Sequence, residues 1–214
     1  MRTFLTSAAA ALLFVAGCEA CTGAEQAPGQ SPELTPEQAR QLALQQTRDR
    51  ARAEAGEIRF LVDKSDREVR VYRNGELFRV HAVAVGAPGF QTPSGRWAFE
   101  RVDLNPEWIP PDSPWAAGEP RRPPGDPENP MGRARLVFDL PYTIHGTDDL
   151  TSLGTAASHG SIRVANEHAI PLAELLLRAG GAWQGRTWFE AMVLDPLTEY
   201  EIALPYPVPI EVQE

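Results

Sequence analysis

The chain is poor in cysteine: it has two, Cys18 and Cys21, and both precede every segment with a folded pattern. That excludes a disulfide framework or a thiolate metal site inside a folded domain. Runs of Lys and Arg are also missing. With a net charge of −9 over 214 residues, there is no basic face of the kind that phosphate backbones require, so nucleic acid is excluded as a partner. Long hydrophobic runs are absent too, because the apolar stretch at residues 8–17 is too short to cross a bilayer. No internal repeat is present, which excludes solenoids and arrays. What remains is ordinary for a globular protein, with 43% hydrophobic and 23% charged residues. The length suits one domain with a real core and would be crowded for two.

Residues 1–18 read as a targeting segment, with Arg2 as its positive end. It closes on Val15-Ala16-Gly17-Cys18, which resembles the lipobox of bacterial lipoproteins, where the cysteine is lipidated and becomes the mature N-terminus. On that reading the protein is exported, anchored to a lipid membrane through Cys18, and faces the periplasm or cell wall. A secretory peptide cut nearby is the alternative. The following residues, up to Pro36, are too polar to bury much surface and suit a tether. Thr35-Pro36-Glu37-Gln38 then has a Thr cap, Pro at the first helical position and Gln at the third, predicting a helix that ends near Ala55-Gly56. Few apolar residues follow Leu42 and Leu44 in it, so a solvated stalk is expected. The expected organisation is a signal segment (1–18), linker and stalk helix (19–56), a folded domain (57–206) and a C-terminal tail (207–214).

After Gly56 the pattern changes to alternation. Ile58, Phe60 and Val62, then Val69 and Val71, predict strands, and Asn74-Gly75 predicts a tight hairpin returning over 77–85. Further strands are expected at 96–102, 135–139, 142–145, 188–194 and 199–204. Residues 103–132 form a long Pro-rich insertion holding Trp108 and Trp115, and a loop of that length inside a compact domain is usually functional. Leu172, Leu175, Leu176 and Leu177 mark the one convincing helix, near 171–178, stopped by Gly180-Gly181. The fold class is therefore mainly β, a sandwich or barrel with one packed helix.

Four histidines occur in the chain, and two of them fall in one Gly-rich, polar region: His145-Gly146-Thr147, then Ser158-His159-Gly160-Ser161-Ile162-Arg163. His145 ends a strand pattern while Ser158 to Gly160 lie in a loop, so folding can bring an imidazole base against a loop nucleophile. Gly160 would let backbone approach a substrate and leave amide N–H groups free for an oxyanion. Arg163 could bind a carboxylate through two parallel hydrogen bonds. Ser and His near glycines are also common in plain loops, and spacing does not separate the two readings. His81 and His168 have no Cys or carboxylate cluster beside them in sequence, so they read as structural and no metal site is expected.

The ordered residues Ile144-His145-Gly146-Thr147 and Ser158-His159-Gly160-Ser161-Ile162-Arg163 closely resemble the active-site pattern of L,D-transpeptidases of the YkuD type, His-Gly-Thr and then Ser-His-Gly-Cys-Ile-Arg. Thr92-Pro93-Ser94-Gly95 resembles the family's Thr-Pro-x-Gly turn, and Asn129-Pro130-Met131-Gly132 its Asn-Pro-Leu-Gly segment. The resemblance implies a YkuD-like β-sandwich that needs no cofactor. It also implies acyl transfer on peptidoglycan stem tetrapeptides: the bond between the third residue and the terminal D-alanine is attacked, D-alanine leaves, and an amine or water resolves the acyl-enzyme. The amine would come from another stem peptide, giving a 3→3 crosslink, or from a lipoprotein acceptor. In these terms His145 moves the proton, Gly160 and the amide of residue 161 form the oxyanion hole, and Gly146, Thr147, Ser158, His159 and Arg163 shape the loop and contact substrate.

The departure is central, because Ser161 stands where the family has its cysteine nucleophile. A thiol beside histidine forms thiolate readily, whereas a serine hydroxyl must lose its proton to a well-placed base during attack. Three explanations stay open: a serine-nucleophile enzyme, a noncatalytic peptidoglycan-binding relative, and an introduced Cys→Ser change.

Overall fold

A computed structural model describes residues 34–214. The expectations for the signal segment, Cys18 and most of the tether lie outside the described residues.

Among the described residues the fold has nine strands and three α-helices: α1 (Pro36–Ala55), β1 (Ile58–Asp63), β2 (Glu68–Arg73), β3 (Glu76–Gly86), β4 (Gly95–Leu104), β5 (Ala134–Asp139), β6 (Tyr142–Thr147), β7 (Ala156–Ser158), β8 (Ile162–Ala165), α2 (Asn166–Ala179), α3 (Arg186–Leu194) and β9 (Tyr200–Gln213). The mainly β class stands. The alternating residues face inward: Phe60, Val62, Val69 and Val71 are completely buried, and so are Phe99, Leu136, Ile144 and Ile162 from later strands. Asn74 and Gly75 carry the positive φ values, 51° and 83°, that the tight hairpin between β2 and β3 requires.

The strands pair in the order β2-β1-β9-β4-β5-β6-β8-β3, and β3 pairs back with β2, so the hydrogen-bonded ladder closes on itself. β7 hangs in parallel on the end of β3. Closure removes long unpaired edges. β6 and β8 run parallel, which requires a crossover between them, and residues 148–161 form it. That crossover carries Ser158, His159, Gly160 and Ser161. The apolar stripe of α2, including Leu172, Leu176 and Leu177, is completely buried in the core with the inner faces of the strands.

Four expectations change. Residues 188–194 form α3 and not a strand: Phe189 and Met192, three apart, are its buried residues, so the run obeys a helical period over a stretch too short to separate from a strand by hydrophobicity. The supposed tail 207–214 continues β9 as far as Gln213, with Val208, Ile210 and Val212 buried. Its prolines at 205, 207 and 209 are tolerated because β1 pairs only with Ile210–Gln213 and β4 skips residues 204–207 at a register shift, so Pro209 has a strand neighbour on one side alone and Pro205 and Pro207 have none. α2 starts at Asn166 and not near Pro171, which sits inside it and forgoes one backbone hydrogen bond. Lastly, α1 is not a free stalk along its whole length, since Ala51 and Ala55 are buried and Arg52 lies 4.0 Å over the Tyr206 ring.

The Pro-rich insertion is ordered by backbone pairing. Trp108 and Arg122 exchange hydrogen bonds of 2.8 and 2.9 Å, and the Asn129 side-chain amide donates to Pro106 O at 2.8 Å.

Candidate active site

His145 lies on β6 with its side chain away from the core, because its neighbour Ile144 takes the inner face. The insertion and the crossover cover that outer face, and His145 is only 6% exposed. Its Nδ1 lies 2.9 Å from Gly146 O. A carbonyl can only accept, so Nδ1 carries the hydrogen and Nε2 keeps its lone pair, the form a general base needs. Burial pushes the imidazole down to about 4 from its ordinary 6.5, with the charges of Arg163 and Arg135 acting in the same direction. At neutral pH His145 is therefore an uncharged base.

The loop 158–161 is held by side-chain hydroxyls. Ser158 Oγ donates to Ser161 O and accepts from Gly160 N at 3.1 Å. Thr92 Oγ1 accepts from Gly86 N at 2.9 Å and donates to Gly160 O at 2.7 Å. Gly160 has φ of 111°, and a Cβ there would meet Tyr142 Cε1 at 2.8 Å, so both conformation and space require glycine. Ser161 Oγ donates to Pro141 O at 3.3 Å and lies 3.4 Å from Thr143 N.

Around a cleft of about 420 Å³ the structure assembles His145, Ser158, His159, Ser161 and Arg163. Three other candidate residues sit behind it. Gly146 supplies the carbonyl for His145, and Thr147 Oγ1 accepts from Asp149 N at 3.1 Å. Gly160 corrects an expectation: its amide N–H is already given to Ser158 Oγ, so of the expected oxyanion pair the amide of Ser161 remains. Exposed His159 stacks on Trp115 with centroids 3.8 Å apart and planes 3° apart, and meets the edge of Phe90 at 4.7 Å. The insertion thus docks on the loop 158–161 through its second tryptophan. Arg163 has a loose ion pair with Asp149, 3.7 Å.

Sequence reasoning missed the loop-fixing role of Thr92 and the presence of Arg135 in the cleft lining. For Arg135 the signal was alternation: Ala134, Leu136 and Phe138 are buried, which turns residue 135 to the outer face.

Residues 57–189, more than half of the chain, match the family model described as the L,D-transpeptidase catalytic domain, YkuD. The chain belongs to that family. The domain is 37% identical over 111 residues to the probable L,D-transpeptidase YbiS of Escherichia coli (strain K12), covering 47% of this chain and 36% of that protein. It is 33% identical over 111 residues to the probable L,D-transpeptidase ErfK/SrfK of Salmonella typhimurium, with the same coverage of 47% and 36%. The match therefore spans about a third of the length of these relatives. Among solved structures, an L,D-transpeptidase from Mycobacterium smegmatis is similar at a TM-score of 0.46 and 17% identity, covering 74% of this chain and 59% of that one.

The buried imidazole has a pH consequence. The unfolded chain takes up the proton near the ordinary 6.5, the folded chain only near 4. Its contribution to stability is thus complete above about pH 6.5 and falls as the pH drops to 4, by at most about 3 kcal/mol. Urea midpoints measured from pH 7 to pH 4 are expected to fall less steeply in His145→Gln than in the unaltered protein. Parallel curves would contradict a buried neutral His145.

Proposed function

We propose that the protein is an exported lipoprotein, anchored at Cys18, that binds peptidoglycan stem tetrapeptides and transfers their acyl group through Ser161 with His145 as base. The observation that carries this is the Nδ1 contact of His145 with Gly146 O, which fixes the basic tautomer in the same cleft that Ser161 borders. The Ser161 hydroxyl would attack the carbonyl between the third residue and the terminal D-alanine, its proton passing to His145 Nε2 and then to the leaving amine. The Ser161 amide would receive the oxyanion. A second stem peptide, a lipoprotein amine or water would resolve the ester, giving crosslinking, attachment or carboxypeptidase activity.

One observation favours a second reading, a noncatalytic peptidoglycan-binding lipoprotein. The Ser161 hydroxyl is directed to Pro141 O, and no hydrogen bond joins it to His145 among the described residues. Incubation with disaccharide tetrapeptides followed by mass spectrometry separates the two. D-alanine release that disappears in His145→Ala supports acyl transfer. Absence of release, with retention on intact sacculi that His145→Ala and Arg163→Ala together abolish, supports the binding reading.

A further inference from the structure

Strand register places three cleft residues in one row. Arg135 on β5 pairs directly with His145 on β6, and His145 pairs directly with Arg163 on β8. Directly paired residues share a face, and neighbouring strands are about 4.8 Å apart, so the two arginines flank the imidazole with backbones roughly 10 Å from each other. All three side chains line the same cleft, and no carboxylate lines it among the described residues. In a chain of net charge −9 that is a local reversal of sign.

The row continues in acids. Asp103 on β4 pairs with Arg135, and Glu201 on β9 pairs with Asp103. Asp103 is completely buried, and Arg135 Nε donates to its Oδ2 at 2.6 Å, while Arg135 Nη2 reaches Glu199 at 3.5 Å. These contacts fix one side of the guanidinium. Nη1 is left without a protein partner among the described residues. An arginine clamped in this way has already lost its side-chain freedom on folding, so ligand binding need not order it.

We propose that Arg135 and Arg163 act as a two-pronged carboxylate clamp, selecting peptide donors that carry one carboxylate on each side of the scissile amide. The clamp rests on the proposed reading of the site as one that holds stem peptides. The terminal D-alanine supplies one carboxylate, and a third residue with an acidic side chain supplies the other. Arg135 reads one of the two and Arg163 reads the other, with the reacting carbonyl between them beside His145.

The test is calorimetric titration of the full chain carrying Ser161→Ala, so that no turnover intervenes. The probes are four synthetic tetrapeptides: a dicarboxylate, the two single carboxamides and the double carboxamide. Arg135→Lys keeps a positive charge for Asp103 and loses the fork. It is expected to weaken the dicarboxylate and one single carboxamide on the order of tenfold and to leave the double carboxamide unchanged. Arg163→Lys should affect the dicarboxylate and the other single carboxamide. Equal weakening of all four peptides by Arg135→Lys, or no weakening of any, overturns the clamp and leaves stem-peptide binding standing. Failure of every peptide to bind the Ser161→Ala chain overturns both.

Discussion

Ser161→Cys is expected to release D-alanine from disaccharide tetrapeptides at least about a hundredfold faster than the unaltered protein. The reason is the match of base to nucleophile. His145 is held neutral and, with a pKa near 4, is a weak base for a hydroxyl that must be deprotonated as it attacks. The Ser161 hydroxyl is also occupied, donating to Pro141 O. A thiol at the same position reaches its anionic form far more easily, and two neighbouring arginines, Arg135 and Arg163, favour that anion electrostatically. The same difference predicts that imipenem leaves the serine protein without a covalent adduct and labels the cysteine variant, as read by intact-protein mass spectrometry. Equal rates for the two nucleophiles, or a stable adduct on Ser161, would show that the serine is already activated and that the Pro141 contact does not hold it.

Gly146→Ala is expected to cost about 3 kcal/mol in chemical denaturation and to abolish whatever turnover the Cys variant has gained. A Cβ at 146 would meet Asn166 Oδ1 at 2.1 Å and Ala169 Cβ at 3.3 Å. Asn166 cannot easily yield, since its Oδ1 accepts from Arg133 N at 2.9 Å and the residue begins α2. Nor can it shift towards 132, where a Cβ on Gly132 would lie 2.2 Å from the same oxygen. Asn166 is wedged between two glycines from motifs far apart in sequence. Moving the 146 peptide also moves the carbonyl that orients His145. Combining Gly146→Ala with Asn166→Gly should return more than 1 kcal/mol of the sum of the single losses, roughly the coupling expected for residues in direct contact. Strict additivity would mean the clash is relieved elsewhere.

Much of this was legible in the sequence because it is written locally. Alternation at Ile58, Phe60, Val62, Val69 and Val71 and the Asn74-Gly75 turn needed no knowledge of distant residues. The two loop motifs gave His145, Ser158, His159, Ser161 and Arg163, which the fold brings to one cleft. What was not legible depends on partners. Whether 188–194 is strand or helix is decided by what Phe189 and Met192 pack against. Whether prolines end β9 depends on where its neighbours pair, and the end of α1 is buried only because Ala51 and Ala55 join a core built by the rest of the domain. Gly160 illustrates the point within the site. Its place beside the nucleophile suggested a free amide, but Ser158, two residues away, takes that amide for the turn itself. Arg135 could be placed on an outer face by alternation, yet only the register across β5, β6 and β8 sets it level with His145.

The position of β9 bears on how such a chain can be made. It is the last of the described strands and lies between β1, the first of them, and β4. While a ribosome still holds residues 200–213, the ladder is open at both of these neighbours. Pairings between strands this far apart in sequence are slow to form and must wait until the later strand has been made. The fold therefore delays its own completion, and a nascent polypeptide of this design stays unfinished, and threadable, until β9 has emerged.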